Sequence, residues 1–304
     1  MKNVLLLSAA LMLASVPGAC GQEGKSAAAV QPGPAAPQAG EPDTPLPGAP
    51  GSGAQGTGTQ GTGAQQADIA DLPRSIVVDN DVLKADIRFD ESVFSFAPAI
   101  ARDVVEDAQI RVEAFQEDAA AYKQADPGYF RPYGLKIDWK VTGAAGPLAG
   151  LEGFIYTFSG GAHGNYRTDG RIYNTQTGKQ MRIGELFTDP EAAATALAGT
   201  VYDAIATAKT ARSGSKTGYE MFLGESKDAL SVSDILAGDI SLIASTEDGK
   251  LGGFVLHYAP YEIGPYAEGA YHITVPEADF RDFLKPEYRP LFAGEPAEIR
   301  RADD

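Results

Sequence analysis

From about Ser75 onward the chain alternates between two periodicities. Leu83, Ala85, Ile87 and Phe89 alternate with Asp86 and Arg88, the period of a strand with one apolar face. Between Phe96 and Ala125 the period changes. Ile100, Val104, Ala108, Val112, Phe115, Ala119 and Tyr122 recur at steps of three and four, which predicts a long amphipathic helix. Pro98 suits its first turn, and Asp126-Pro127-Gly128 ends it. Leu135, Ile137, Trp139 and Val141 then alternate with Lys136, Asp138, Lys140 and Thr142. Leu151–Ser159 predicts a further strand with Phe154, Tyr156 and Phe158 on one side. Arg171–Asn174 and Lys179–Ile183 complete an expected four-strand antiparallel meander.

Asp189-Pro190-Glu191 is a helix start: a capping acid, a proline that needs no hydrogen bond, and a negative charge at the positive end of the helix dipole. Ala194, Leu197, Val201, Ile205 and Ala208 carry that second long helix to about Ala211. Ser213–Thr217 reads as a loop and Ser231–Leu236 as a helical turn. Ile240–Ser245 and Gly252–His257 read as strands joined at Glu247-Asp248-Gly249, a hairpin signal. Tyr271–Val275 is the last strand, and Glu277–Leu284 a short C-terminal helix behind Pro276. Strands interrupted by helices without strict alternation predict an α+β fold of mostly antiparallel sheets, in two packed subdomains at 71–183 and 184–293. The polar tail at 294–304 is expected to fray.

The first 70 residues carry neither period. Lys2 precedes an apolar run from Val4 to Val16, too short to span a bilayer comfortably, and Gly18-Ala19-Cys20 follows. This is the arrangement of a lipoprotein signal peptide at 1–20 with Cys20, the single cysteine, as the lipidated residue. Pro17 stands where leucine is usual, which leaves ordinary cleavage and secretion as the alternative. The expected location is the bacterial cell envelope, with a lipid on Cys20 holding the chain to the membrane. Gly21 after the cysteine favours the outer membrane, facing the periplasm, in a host with two membranes. Residues 21–70 are rich in Pro, Gly, Ala and Gln and bury too little apolar surface to offset ordering, so they read as a disordered linker. Such a coil spans roughly 40 Å root-mean-square.

Charge and composition narrow the function classes. With 41 acids against 25 bases the formal charge is −16, which argues against nucleic acid as a partner. One cysteine allows neither an internal disulfide nor a multi-cysteine metal site.

Two loops hold the candidate chemistry. Ser159-Gly160-Gly161-Ala162-His163-Gly164-Asn165 lies between strands, so it lacks the helix N-terminus of a phosphate loop. Its serine and histidine have no orienting acid in sequence. His163 and Asn165 are read as ligand contacts or as structural hydrogen-bonders. The second loop, between His257 and His272, carries Tyr261, Glu262 and Tyr266 among two prolines and two glycines. Tyrosines with a flat apolar body and a polar tip suit sugar rings and protein interfaces. They equally cover a core edge. His257, His272 and Glu262 have the residue types of a zinc site without its usual short spacing, so no metal, cofactor or catalytic residue is assigned.

FIYTFSGGAHGNY with YNTQTGKQMRIGELF, and FVLHYAPYEIGPYAEGAYHITVPEADFRDFL, resemble the extracytoplasmic PdaC/RsiV-like family, over roughly Ile76–Leu284. This module is shared by the N-terminal region of a peptidoglycan deacetylase and by an anti-sigma factor. The resemblance implies a two-part α+β body whose second part begins near Gly184, with a sensing or binding role. In the anti-sigma factor the module binds lysozyme, but that contact does not map residue by residue, so the resemblance does not fix the ligand; the expected partner here is a lysozyme-like protein or peptidoglycan. The deacetylase's TFDDG motif and the anti-sigma factor's membrane span are missing from this sequence, so those activities are not implied. The expected function is a lipid-anchored, non-catalytic envelope binding module; the alternative is an envelope enzyme acting on peptidoglycan through His163 or Glu262.

Overall fold

The computed structural model describes residues 69–214, 217–299 and 301. Cys20 and most of the linker segment lie outside them. The fold is α+β, with two mostly antiparallel sheets.

The first sheet has six strands in sequence order: β1 (Ser75–Asp79), β2 (Leu83–Phe89), β3 (Tyr133–Ala145), β4 (Leu148–Phe158), β5 (Asn165–Asn174) and β6 (Lys179–Met181). The expected meander from β3 to β6 is present. The pairing of β2 with β3 is parallel, Leu83–Phe89 against Tyr133–Trp139, which alternation alone does not indicate. A parallel pair needs a long crossover, and helix α1 (Pro98–Ala125) supplies it. The apolar stripe of α1, Ile100, Val104, Ala108 and Val112, buries against Leu135, Ile137, Trp139, Leu151 and Ile155 on one face of the sheet.

The helix start read at Asp189-Pro190 is present. The Asp189 carboxylate accepts the Ala192 amide at 3.0 Å, and α2 (Pro190–Ser213) ends at Gly214 in the left-handed conformation, φ 65°. Leu197, Val201 and Ile205 of α2 pack on Leu242, Phe254, Leu256, Ile273 and Val275 of a three-stranded sheet, β7 (Asp239–Ala244), β8 (Leu251–Tyr258) and β9 (Tyr271–Pro276). Ala145, Leu148 and Ile172 of the first sheet join this second core. Short helix α4 (Glu277–Phe280) continues as a 3₁₀ turn over Arg281–Phe283.

Helix α3 (Tyr219–Ala229) was not legible. Its buried residues are Phe222 and Ser226, so the four-residue step that should reveal a helix pairs an aromatic with a polar side chain.

The two sheets meet across glycines. Gly143 on β3, Gly150 on β4 and Gly170 on β5 face the backbone of β7 at Ala244, Leu242 and Ile240 respectively. A Cβ at Gly170 would stand 2.6 Å from the Ile240 carbonyl carbon, and at Gly143 and Gly150 closer still to main-chain atoms of β7. The absence of side chains lets β7 lie across three strands in backbone contact.

The tail corrects an expectation. It is polar, but it is not frayed over Gly294–Ala297. Ala297 donates its amide to the Ala244 carbonyl at 2.8 Å, and Thr246 donates to the Glu295 carbonyl at 2.8 Å. Ala293 donates to the Leu251 carbonyl at 3.1 Å. The open edge of β7 and the hairpin after it supply partners to a segment that has little apolar surface of its own.

Candidate functional site

The two loops singled out in the sequence meet in space. His163 stacks on Tyr266, ring centroids 4.1 Å apart and 24° between planes. The carbonyl of Gly164 ties them together. It accepts the Tyr266 hydroxyl at 2.7 Å and lies 3.0 Å from His163 Nδ1, which fixes the proton on that nitrogen. Gly164 is glycine because the Tyr156 ring occupies the space a side chain would need.

Tyr261 extends the stack, 5.4 Å from Tyr266 and 63 % exposed. Its φ is +77°, and it is the single non-glycine residue with positive φ among the described residues. A bulky side chain held there costs conformational energy, about 1–3 kcal/mol, while the ring is presented to solvent. Glu262 shapes the same turn, its carboxylate accepting the Ala259 amide at 2.7 Å. Although Glu262 sits at the exposed lip of the loop, partial desolvation raises its pKa against the opposing effects of the Ala259 amide and Arg167. Asn165, exposed, opens β5 opposite Thr157.

Beneath these loops, Tyr166 joins Tyr266 at 6.3 Å and Phe154 at 6.0 Å. Arg167 pairs with Asp239 at 3.2 Å, and also lies 3.8 Å from Asp169. The Asp239 side chain keeps 39 % of its surface in solvent, yet desolvation, followed by the nearby Asp169 charge, pushes its pKa to about 6. A buried lysine holds the loop from behind. Lys209, 4 % exposed on α2, reaches Glu268 at 3.4 Å and Glu225 of α3 at 3.6 Å. Glu268 also accepts the Tyr271 hydroxyl at 2.5 Å, and Arg212 donates to its carbonyl at 2.6 Å.

The histidines flanking the loop do something else. His257, on β8, lies in the seam between the sheets, 4 % exposed. Glu152 of β4, 2 % exposed, accepts the Ser241 hydroxyl at 2.9 Å and both Nε and Nη2 of Arg301. Ser241 lies 3.0 Å from His257 Nε2, and His257 Nδ1 lies 2.8 Å from His272 Nδ1. Ser241 donates to the carboxylate, so it accepts from His257 Nε2–H; Nδ1 of His257 then accepts from His272. Burial, followed by the His272 charge, holds His257 well below its ordinary pKa and therefore neutral.

The serine, histidine and acid are those of a hydrolase in name only. In such a triad the acid orients the histidine Nδ1 and the serine faces substrate. Here the acid holds the serine, and Ser241 has 0 % exposure. Among the described residues no group of three or more histidine, cysteine or acidic side chains is placed to hold a metal. Glu262 therefore does not complete a site with His257 and His272.

Of the five ligand-contact candidates read from the sequence, His163, Tyr266 and Tyr261 form one ring stack, Glu262 lies beside Tyr261 in the same turn, and Asn165 stands apart at the start of β5. The supports Tyr166 and Lys209 carry no signal in the sequence, nor does the Glu152–Arg301 pair, whose members are 149 positions apart.

Residues 185–278 match a family model described as "Protein of unknown function (DUF3298)". That segment includes the loop of Tyr261, Glu262 and Tyr266. No curated protein matches the chain. The solved structures similar to it include two DUF3298 proteins. A DUF3298 family member from Bacteroides fragilis NCTC 9343 is 18% identical, with 70% of this chain and 93% of that one covered and a TM-score of 0.45. A DUF3298 family protein from Pseudomonas aeruginosa PAO1 is 17% identical, with 72% and 91% covered and a TM-score of 0.43.

Proposed function

We propose that this chain is a non-catalytic, lipid-anchored cell-envelope binding module of the PdaC/RsiV-like kind, holding a lysozyme-like protein or cell-wall glycan at the surface where its two loops join. The observation that supports this most directly is the His163–Tyr266 stack, which assembles motifs 103 positions apart into one aromatic surface with Tyr261 at its exposed end. A strained, solvent-facing tyrosine costs stability, and contact with a partner is a use that offsets that cost. The polar side chains favour binding over hydrolysis: Glu262 caps a turn, and Ser241 is sealed in the sheet seam.

In calorimetry or pull-down with the full chain, lysozyme or solubilised peptidoglycan binds, and Tyr261→Ala weakens binding about tenfold or more. The same substitution leaves the melting temperature within a few degrees, because the ring covers little of the core. Binding of neither probe sinks the proposal, as does binding indifferent to Tyr261→Ala. For the anchor, metabolic labelling with a fatty acid marks the expressed chain and is lost in Cys20→Ala. Labelling that survives the substitution removes Cys20 as the lipid site.

A further inference from the structure

The face of the first sheet turned away from α1 is only half covered. Near Gly143, Gly150 and Gly170 it meets β7. Towards the other end its side chains reach solvent, and four of them are aromatic. Phe154, Tyr156 and Phe158 of β4 and Tyr166 of β5, all half-buried, share this face, with Tyr156 directly opposite Tyr166. Tyr166 leads on to Tyr266 and then to the exposed Tyr261, with centroid steps of 6.3 and 5.4 Å. In the other direction, a shallow groove of about 360 Å³ continues from Tyr156 past Lys136, Gly134 and Asp86 to Val77 on β1. Val77 is 69 % exposed.

The charges beside this track cancel. Arg88 holds Asp86 through two hydrogen bonds, at 2.6 and 3.1 Å, Lys136 holds Asp138 at 2.9 Å, and Lys84 is paired with Asp79. A polyanion meets no surplus positive charge here, and a cationic peptide no surplus negative one. What remains is a line of rings offering flat apolar faces, fringed by groups able to donate to and accept from hydroxyls. Pyranose rings have that chemistry: apolar C–H faces with hydroxyls around the edge.

We infer that the aromatic half-face of the first sheet binds an extended, uncharged glycan strand, laid across β1–β5 from the Val77 groove to Tyr261. This rests on the binding-module reading and gives it one ligand class and a path. Several ring contacts in series make affinity depend on chain length, because a short oligomer fills only part of the track.

The test is calorimetry of the full chain with β-linked N-acetylglucosamine oligomers of two, four and six units, and with a hexameric oligogalacturonate as the anionic control. Affinity is expected to rise at least tenfold from the dimer to the hexamer and to show no preference for the anionic hexamer. Tyr166→Ala is expected to weaken the hexamer about tenfold or more. Should Tyr166→Ala lower the melting temperature, Tyr261→Ala on the exposed end serves instead, weakening the hexamer with the fold intact. No binding of the hexamer, equal affinity for dimer and hexamer, or tighter binding of the anionic hexamer overturns the inference. If lysozyme binds with Tyr261 dependence while no oligosaccharide does, the binding-module reading stands and the glycan track falls. If nothing binds, both fall.

Discussion

Gly150→Val is expected to leave little folded protein at a urea concentration where the native chain is fully folded. The Cβ would collide with the amide nitrogen, carbonyl oxygen and Cα of Leu242. These are main-chain atoms of a strand paired with β8, so no side chain can rotate out of the way. Relief requires β7 to lift off the first sheet. That lift would disturb the neighbouring backbone contacts at Gly143 and Gly170, and expose Ser241 and Glu152, which are buried in the same seam. The cost is set at about 4 kcal/mol or more, at the exceptional end for one substitution. Equilibrium urea unfolding reads it as a lowered midpoint. A contrast comes from the same residue type. Gly199 on α2 and Gly224 on α3 have open space where a Cβ would go. Gly199→Ala and Gly224→Ala should each raise stability by roughly 0.5–1 kcal/mol through helix propensity. If Gly150→Val unfolds at the native midpoint, the glycine seam is not what joins the sheets.

That contrast also marks the limit of what the sequence shows. Gly150 and Gly199 are alike in sequence, and only the pairing of distant strands gives one of them a neighbour. Features carried by local chemistry were legible. The apolar period of α1, the Asp189-Pro190 start of α2 and the hairpin before β8 follow from contacts a few residues apart, and each stands in the structure. The parallel pairing of β2 with β3 was not, because alternation is identical in parallel and antiparallel strands. The candidate surface divides the same way. Tyrosines, glycines and prolines in unusual density pointed to the two loops, and alternation put Phe154, Tyr156 and Phe158 on one side of β4. That Gly164 would receive the Tyr266 hydroxyl could be known only from the fold. In sequence His257 and His272 have the residue types of a zinc site without its spacing. In space they belong to a buried hydrogen-bond chain, ending at an arginine from a tail that composition alone marked as loose.

Removing that arginine should have the second large effect. Glu152 is a carboxylate with 2 % exposure, and Arg301 approaches it at 2.8 and 3.2 Å. Arg301→Ala leaves the acid in the seam beside a neutral histidine and a hydroxyl, with Lys140 opposite it on β3. Breaking a buried pair from one side costs about 3–5 kcal/mol, because the remaining charge is neither solvated nor paired. The loss should appear in urea unfolding at neutral pH. The size of the effect does not mean the pair itself contributes that much, and a double-substitution cycle separates the two quantities. Replacing both partners by apolar residues of similar volume, Glu152→Leu with Arg301→Met, removes the stranded charge. Ser241 still accepts from His257 Nε2, but its own hydroxyl proton loses its acceptor with Glu152, and one buried donor is left unpaired. The double variant should be more stable than Arg301→Ala and fall short of the native chain by about 1–3 kcal/mol, the cost of the unpaired Ser241 hydroxyl. A fully stable Arg301→Ala would show that the tail does not neutralise Glu152. An equally unstable double variant would show that the ion pair specifies the seam geometry, beyond compensating a buried charge.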